Sequence, residues 1–249
     1  MNTIFIGQNL IEIKSIDSTN NYAAQLSRQS VMPEGTVVAA EEQTKGRGQR
    51  GNSWESEAKK NLTFSTILYP KFLKADEQFY LTKAVSLAIC DFLPTLLPVN
   101  LKIKIKWPND IYIEGKKIAG ILIENSVREN QIQHTIVGIG LNINQQNFKT
   151  ENTVSVSSIT EKEYPVNECL EQLCSFLEVR YLKLKKNNRC FDEEYLSSLY
   201  QCEEMKSYLF KGEKTIAKIV DVTAEGLLVL EKKNSEKIYC NLKEVTFFQ

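Results

Sequence analysis

The amino-acid sequence predicts an α+β fold, a mixed β-sheet with packed helices that gives way near the C-terminus to a small all-β module. Three observations carry this. Segments 61–69 and 101–107 alternate apolar and polar residues with the period of two that sends successive side chains to opposite faces of a strand. Segments 76–97 and 166–186 place apolar residues at helical spacing, among them Phe79, Ala84, Val85, Ala88 and Phe92 in the first and Cys169 or Leu170, Leu173, Leu177, Tyr181 and Leu184 in the second. From about Met205 the pattern becomes short strands between turn residues, and a run of ~45 residues of that kind makes an all-β unit.

From the N-terminus, residues 3–16 hold two alternating runs around Gly7-Gln8-Asn9, and Leu10 to Ile16 reads as a half-buried strand. Asp17-Ser18-Thr19-Asn20 follows, directly before the helical stretch 21–28. These four side chains favour helix N-caps, and they equally suit contacts to a neutral, hydrogen-bonding ligand at a strand–helix junction. After the Pro33-Glu34-Gly35 turn, the buried strand Thr36 to Ala40 delivers the chain to a loop ending at Trp54. The loop spans about fifteen residues between core strands, a length that marks a functional or a mobile segment. The strand 61–69 ends at Pro70, and Asp76 and Glu77 begin the next helix at its dipole-favoured end.

In 101–107 the lysines fall on one face and Leu101, Ile103, Ile105 and Trp107 on the other, so the lysine face either meets solvent or flanks a polar site. Pro108-Asn109-Asp110 turns into Ile111 to Ile113, and Glu114-Gly115-Lys116-Lys117 turns again into Ile118 to Glu124, which reads as a hairpin. Strand 134–144 carries Gly138 and Gly140 on one face, a sign of close approach by a ligand or another backbone. A polar stretch at 152–158 precedes two packing helices, 166–186 and 189–199. The strands Thr215 to Val220, Leu227 to Leu230, Ile238 to Cys240 and Val245 to Phe248 complete the module.

Composition limits the function. The 249 residues include 31 Lys+Arg and 31 Asp+Glu, so no net field draws the chain to nucleic acid or an anionic membrane, and any electrostatic function is local. Six cysteines without a CxxC pair and a single histidine, His134, argue against a zinc centre or a disulfide framework and for reduced thiols. The first residues lack the basic and apolar regions of a signal peptide, and no apolar run has membrane-spanning length. A cytoplasmic protein with no membrane partner is expected.

Lys45, Arg47 and Arg50 lie within six residues, interleaved with Gly46, Gly48 and Gly51, as suits closure over an anion. Asp17-Ser18-Thr19-Asn20, the loop run Glu42-Gln43-Thr44-Lys45-Gly46-Arg47-Gly48, Lys106-Trp107-Pro108-Asn109-Asp110, the run Gly115 to Glu124, and Gly138-Ile139-Gly140-Leu141-Asn142, in this order and spacing, resemble the biotin protein ligases. The resemblance is strong over residues 10–145 and weak over the C-terminal module. It implies a catalytic biotin/lipoate ligase-like domain over residues 1–203, related to class II aminoacyl-tRNA synthetases, and an SH3-like β-barrel over 204–249. The implied reaction joins biotin and ATP, with Mg²⁺, into biotinyl-5′-AMP and pyrophosphate; a lysine of a biotin carboxyl carrier protein or domain then takes the biotinyl group.

By the same resemblance Lys117 and Arg47 are the catalytic cations. The biotin site would comprise Ser18, Thr19, Asn20, Gln43, Arg47, Gly48, Gln49, Lys117 and Gly120. Arg47, Arg50, Trp54, Asn109, Asp110 and Asn142 would serve the nucleotide, with Mg²⁺ near Asp110. Bringing a carboxylate against an α-phosphate requires fixed positive charge, and no covalent enzyme intermediate is needed. Two departures bear on the expectation. Gln49 stands where many members have a second arginine, so the adenylate is held less tightly or Arg50 makes up the charge. The chain also begins almost directly at the catalytic domain, without the helix-turn-helix of repressor members, and no DNA binding is expected. Monomer and homodimer are both compatible with the sequence. The alternative within the superfamily is a lipoate or octanoyl ligase or transferase, which the polar Ser-Thr-Asn and Gln set disfavours because a lipoyl chain has no ureido ring. A non-enzymatic nucleotide- or nucleic-acid-binding module is the third reading.

Overall fold

A computed structural model describes residues 2–248, with Arg50 described by its backbone alone. Seven strands form the main sheet: β1 (Leu10–Ile16), β2 (Thr36–Gln43), β3 (Leu62–Leu68), β4 (Ile103–Lys106), β5 (Asp110–Ile113), β6 (Lys116–Arg128) and β7 (Gln131–Leu141). Their spatial order is β1-β2-β3-β7-β6-β5-β4. Only β1 and β2 run parallel, and α1 (Thr19–Gln29) is the crossover that such a pair requires. Helices α2 (Phe79–Phe92) and α4 (Val166–Lys186) bury one face of the sheet in the main core, while Ala23 of α1 packs with Val38, Ile67 and Ile136 on the other. With both faces covered, every residue of β3 is buried.

Several elements differ from the sequence pattern. Residues 3–9 form turns, held by the Glu178 carboxylate, which accepts from the backbone N–H groups of Ile4, Phe5 and Ile6 at 2.7, 2.8 and 3.0 Å. The predicted helix 76–97 is divided into a 3₁₀ turn at Ala75–Glu77, α2, and a second 3₁₀ turn at Leu93–Thr95, where Pro94 cannot donate a backbone hydrogen bond. The hairpin turn is shorter than 114–117: Glu114 and Gly115 have φ of 48° and 79°, a two-residue turn, so Lys116 and Lys117 are strand residues. Within the polar stretch lies the short helix α3 (Val156–Thr160), where Ser155 and Ser158 exchange side chain–backbone bonds at 3.0 and 3.1 Å. The last helix contracts to α5 (Asp192–Ser198).

The C-terminal strands β8 (Lys206–Phe210), β9 (Glu213–Val222), β10 (Leu228–Lys232), β11 (Lys237–Cys240) and β12 (Val245–Phe247) form an antiparallel sheet in the order β11-β10-β9-β8-β12. Among the described residues no ladder joins β11 to β12. Its β9–β10 loop docks on the main sheet's helices and on Trp107. Phe79 N–H donates to Ala224 O and Trp107 Nε1 to Gly226 O, each at 3.1 Å. Gly226, at φ 98°, lies so close to the Phe79 ring that a Cβ there would overlap it. The buried Lys83 ammonium donates to Asp192 at 2.6 Å and to Val222 O at 3.1 Å, joining α2, α5 and β9.

No helix among the described residues is long and apolar enough to cross a membrane.

Candidate active site

On the α1 face of the main sheet, beyond the helix N-terminus, lies a cavity of about 260 Å³. Ladder registers explain its place. One cross-strand row reads Lys106, Asp110, Gly120, Gly140 and Thr63, and the next reads Leu122, Gly138 and Ser65. The glycines lower the sheet surface between these side chains. A Cβ on Gly140 would overlap the Trp54 indole, and one on Gly138 would overlap the Asn20 carboxamide. The paired glycines seen in the sequence therefore make room for two protein side chains.

One end of the cavity is neutral. Ser18 occupies the N-cap position of α1 but its side chain makes no cap bond, and Ser18, Thr19 and Asn20 are only 2%, 3% and 3% exposed. Thr19 donates to Gln43 Oε1 through its backbone N–H at 2.8 Å and its hydroxyl at 3.1 Å. Ser65 Oγ lies 2.7 Å from Thr19 Oγ1 and 2.6 Å from Asn20 Oδ1, which share its single proton. With Oε1 of Gln43 occupied, its amide hydrogens are what that side chain can offer a ligand. Ser65 is absent from the sequence-based set; its only signal was a polar residue at an alternating position in a core strand.

The other end is charged. In a regular strand Lys117, three residues before Gly120, would face away from the cavity. A β-bulge prevents this: Ile111 pairs with Ala119 and Tyr112 with Lys117, leaving Ile118 as the extra residue. The bulge turns Lys117 onto the cavity face. Its Nζ lies 2.8 Å from Asp110 Oδ1 and 5.6 Å from the Trp54 ring centroid. The strand is braced from behind by Lys117 N–H to Asn152 O at 2.7 Å and Val154 N–H to Lys117 O at 2.9 Å. Beside this pair stands Lys106, over the rings of Tyr112 and Phe247 at 4.9 and 5.7 Å. Burial pushes the Lys106 ammonium below the usual lysine range and the Lys117 charge adds to it, against the pull of Asp110. Burial, assisted by the Asp110 charge, raises the Tyr112 phenol to about 12.

The cationic loop is ordered. Gly48 N–H donates to Asn52 O at 2.7 Å and Trp54 N–H to Gly46 O at 2.9 Å, so it folds back on itself as a narrow hairpin around the 3₁₀ turn Gln49–Gly51. Arg47 reaches Asn21 Oδ1 at 2.7 Å and Glu124 Oε1 at 2.8 Å. Trp54 Nε1 is buried without a partner among the described residues. Gly48 and Gln49 line the cavity, whereas the Arg50 side chain lies outside the described residues.

Asn109 lines the cavity while clamping the 108–110 turn to β6, its Nδ2 donating to Ile121 O at 2.6 Å and its carbonyl accepting from Ile121 N–H at 3.0 Å. Asn142, expected with the nucleotide set, is not a lining residue. It is 1% exposed and its Nδ2 donates to Val154 O at 3.1 Å, so it steadies the segment that braces Lys117. Leu242 and Lys243, from the C-terminal module, do line the cavity and carried no motif signal.

The mixed sheet thus joins a neutral hydrogen-bonding pocket to a cluster of cations under a glycine loop. Residues 12–142 match the biotin/lipoate A/B protein ligase family, and the chain belongs to it. Over 147 residues it is 39% identical to the bifunctional ligase/repressor BirA of Bacillus spizizenii, covering 59% of this chain and 44% of that protein. Over 201 residues it is 26% identical to the biotin–[acetyl-CoA-carboxylase] ligase of Mycobacterium tuberculosis, covering 80% of this chain and 74% of the relative. The chain thus spans less than half the length of the Bacillus relatives it matches. In structure it superposes on the biotin protein ligase from Aquifex aeolicus in complex with biotin and ATP with a TM-score of 0.79 at 26% identity, covering 97% of this chain and 99% of that one.

Proposed function

We propose that this chain is an ATP-dependent biotin–protein ligase that makes biotinyl-5′-AMP and passes the biotinyl group to a lysine of a biotin carboxyl carrier domain, acting in the cytoplasm. The observation that carries the reading is a single cavity with a neutral, hydrogen-bonding end and a cationic end. Biotin has that polarity, a ureido ring at one end and a carboxylate at the other.

The ring would lie against Ser18, Thr19, Asn20 and Gln43, whose hydroxyls and amides match a group with two N–H donors and one carbonyl. The carboxylate would reach Lys117 and Arg47. Attack by a carboxylate oxygen forms the bond to the α-phosphorus while the bond to the bridging oxygen of pyrophosphate breaks; the carrier lysine amine then attacks the acyl carbon, AMP leaves and the amine sheds its proton. Lys117 stabilises the charge gathered on the phosphoryl oxygens, and Arg47 with Gly48 and Gln49 closes over the same anion. Holding the two reactants together contributes on the order of 7–11 kcal/mol to lowering the barrier. Trp54, Asn109, Leu242 and Lys243 line the same cavity and would border the nucleotide, which supports a part for the module over residues 204–249 in binding ATP. Arg50 joins the phosphates from the loop.

Mg²⁺ is usually held by one or two carboxylates together with substrate phosphates and waters, and there it would neutralise phosphate charge. Asp110, the carboxylate at the charged end, fits that use, and among the described residues no group of three His, Cys, Asp or Glu side chains suggests a metal site built by protein alone.

The test is incubation with ATP, radiolabelled biotin and a carrier domain, with lipoate and octanoate in parallel. Label on the carrier lysine that requires both ATP and biotin is expected. Transfer of lipoate or octanoate with none of biotin would replace this reading by the other branch of the family.

A further inference from the structure

We infer that Glu124 is a positioning residue that couples filling of the neutral end of the cavity to the placement of Arg47, an inference that rests on the biotin reading above. Glu124 stands on β6 opposite Ile136, one ladder step beyond the cavity floor on the same face. Its carboxylate serves two groups of different kinds. Oε2 accepts from Asn20 Nδ2 at 2.8 Å and from Arg47 Nη1 at 3.2 Å, and Oε1 accepts from Arg47 Nη2 at 2.8 Å. One side chain therefore joins a buried amide of α1 to the guanidinium of the loop.

The Asn20 end is locked. Its Oδ1 accepts from Ser65, its two amide hydrogens go to Glu124 and, at 3.3 Å, to Leu122 O, and Gly138 leaves only enough space for the amide. What Asn20 can still offer a ligand is the second lone pair on Oδ1. A ureido N–H donating there polarises the amide and strengthens the Nδ2 bond to Glu124 on its far side. Thr19 cannot pass the same signal, because its hydroxyl donates to Gln43.

The Arg47 end is loose. The Arg47 and Glu124 side chains are 41% and 36% exposed, and an ion pair that open to water is weak. Arg47 is thus tethered at the cavity rim in a form that can be exchanged for a stronger anion. Filling the neutral end firms the Glu124 side of that tether, so the loop is set before the nucleotide arrives.

The test uses the full chain and the isosteric variant Glu124→Gln, with Glu124→Ala beside it, and follows tryptic cleavage between Lys45 and Trp54 without ligand, with biotin, and with biotin plus ATP. In the wild type, biotin alone slows cleavage. In E124Q the ligand-free loop is cut ~2- to 5-fold faster, as loss of an exposed ion pair allows. Biotin no longer changes that rate. The KM for biotin rises ~10-fold, the effect of one charge-assisted hydrogen bond, while the KM for ATP stays within about 2-fold. A purely structural role would move both KM values together with Tm, and that result overturns the inference. So does an E124Q loop that biotin protects as well as it protects the wild type. A wild-type loop indifferent to biotin overturns the coupling together with the reading beneath it, and is recognised by the absent biotin response before any substitution is made.

Discussion

At the neutral end of the cavity Thr19, Asn20 and Ser65 are buried and already bonded to one another or to Gln43 and Glu124, whereas at the cationic end the charges are partly exposed and hold temporary partners. The difference follows from the cost of burying each kind of group. Neutral polar groups can be kept fixed in a dry site once their hydrogen bonds are complete. Ion pairs partly open to water are weak, so Lys117 can exchange Asp110 and Arg47 can exchange Glu124 for a ligand anion. The recognition end can be built in advance; the reactive end has to be exchanged into place.

Four substitutions probe that contrast. Lys117→Ala removes the cation aimed by the bulge and should raise the adenylation barrier by ~3–4 kcal/mol, read as a fall in pyrophosphate release of two to three orders of magnitude. An unchanged rate would move the electrophilic role elsewhere. Ser65→Ala strips a shared donor from two buried oxygens at the neutral end and should cost ~1–3 kcal/mol. Both Tm and biotin affinity should fall with little change in the ATP dependence, as calorimetry of each ligand would show. Gly140→Ala forces the Trp54 ring off the floor at ~1–3 kcal/mol of overpacking. Because Trp54 closes the loop, the KM values for biotin and ATP should both rise, which distinguishes the floor from either end.

The smallest effect belongs to Lys106. Since burial holds its pKa below the unfolded value, the charged ammonium opposes folding at neutral pH. Lys106→Met should raise Tm slightly while lowering kcat/KM for ATP. The wild type gains stability as pH climbs through the folded-state pKa toward the unfolded one, because the unfolded chain then binds more protons. The Tm gap between the two proteins should therefore narrow in alkaline buffer; a gap constant with pH would assign the change to packing.

Much of the fold was legible because its signals are local. Alternation marked the strands around the cavity, helical spacing marked α2 and α4, and Gly138 and Gly140 announced a close approach. The residues that complete the site are set by long-range registers instead. Ser65 looked like an ordinary alternating position and Glu124 only like the end of a motif, and both acquire meaning because β3, β7 and β6 bring them level with α1 and the loop. Asn142 sat at the end of a motif and pointed to the nucleotide; its Nδ2 is engaged by Val154 O, while its Oδ1 is buried without a partner among the described residues. Lys243 reaches the cavity from a sheet more than a hundred residues further along the chain than Lys117. The loop hid its order in a backbone pairing of Gly46 with Trp54 that composition does not encode.

The extra residue Ile118 has a consequence for sequence change in this hairpin. Whether Lys117 meets the cavity depends on parity: it stands three residues before Gly120, and the bulge absorbs one of them, Ile118, so that the effective spacing is even. Deleting Ile118 would leave the ammonium on the cavity face, whereas smoothing the bulge at unchanged length would leave the composition and hydrophobicity of the hairpin untouched and still carry it to the opposite side of the sheet. The irregularity of the strand is here as much a part of the chemistry as the lysine itself.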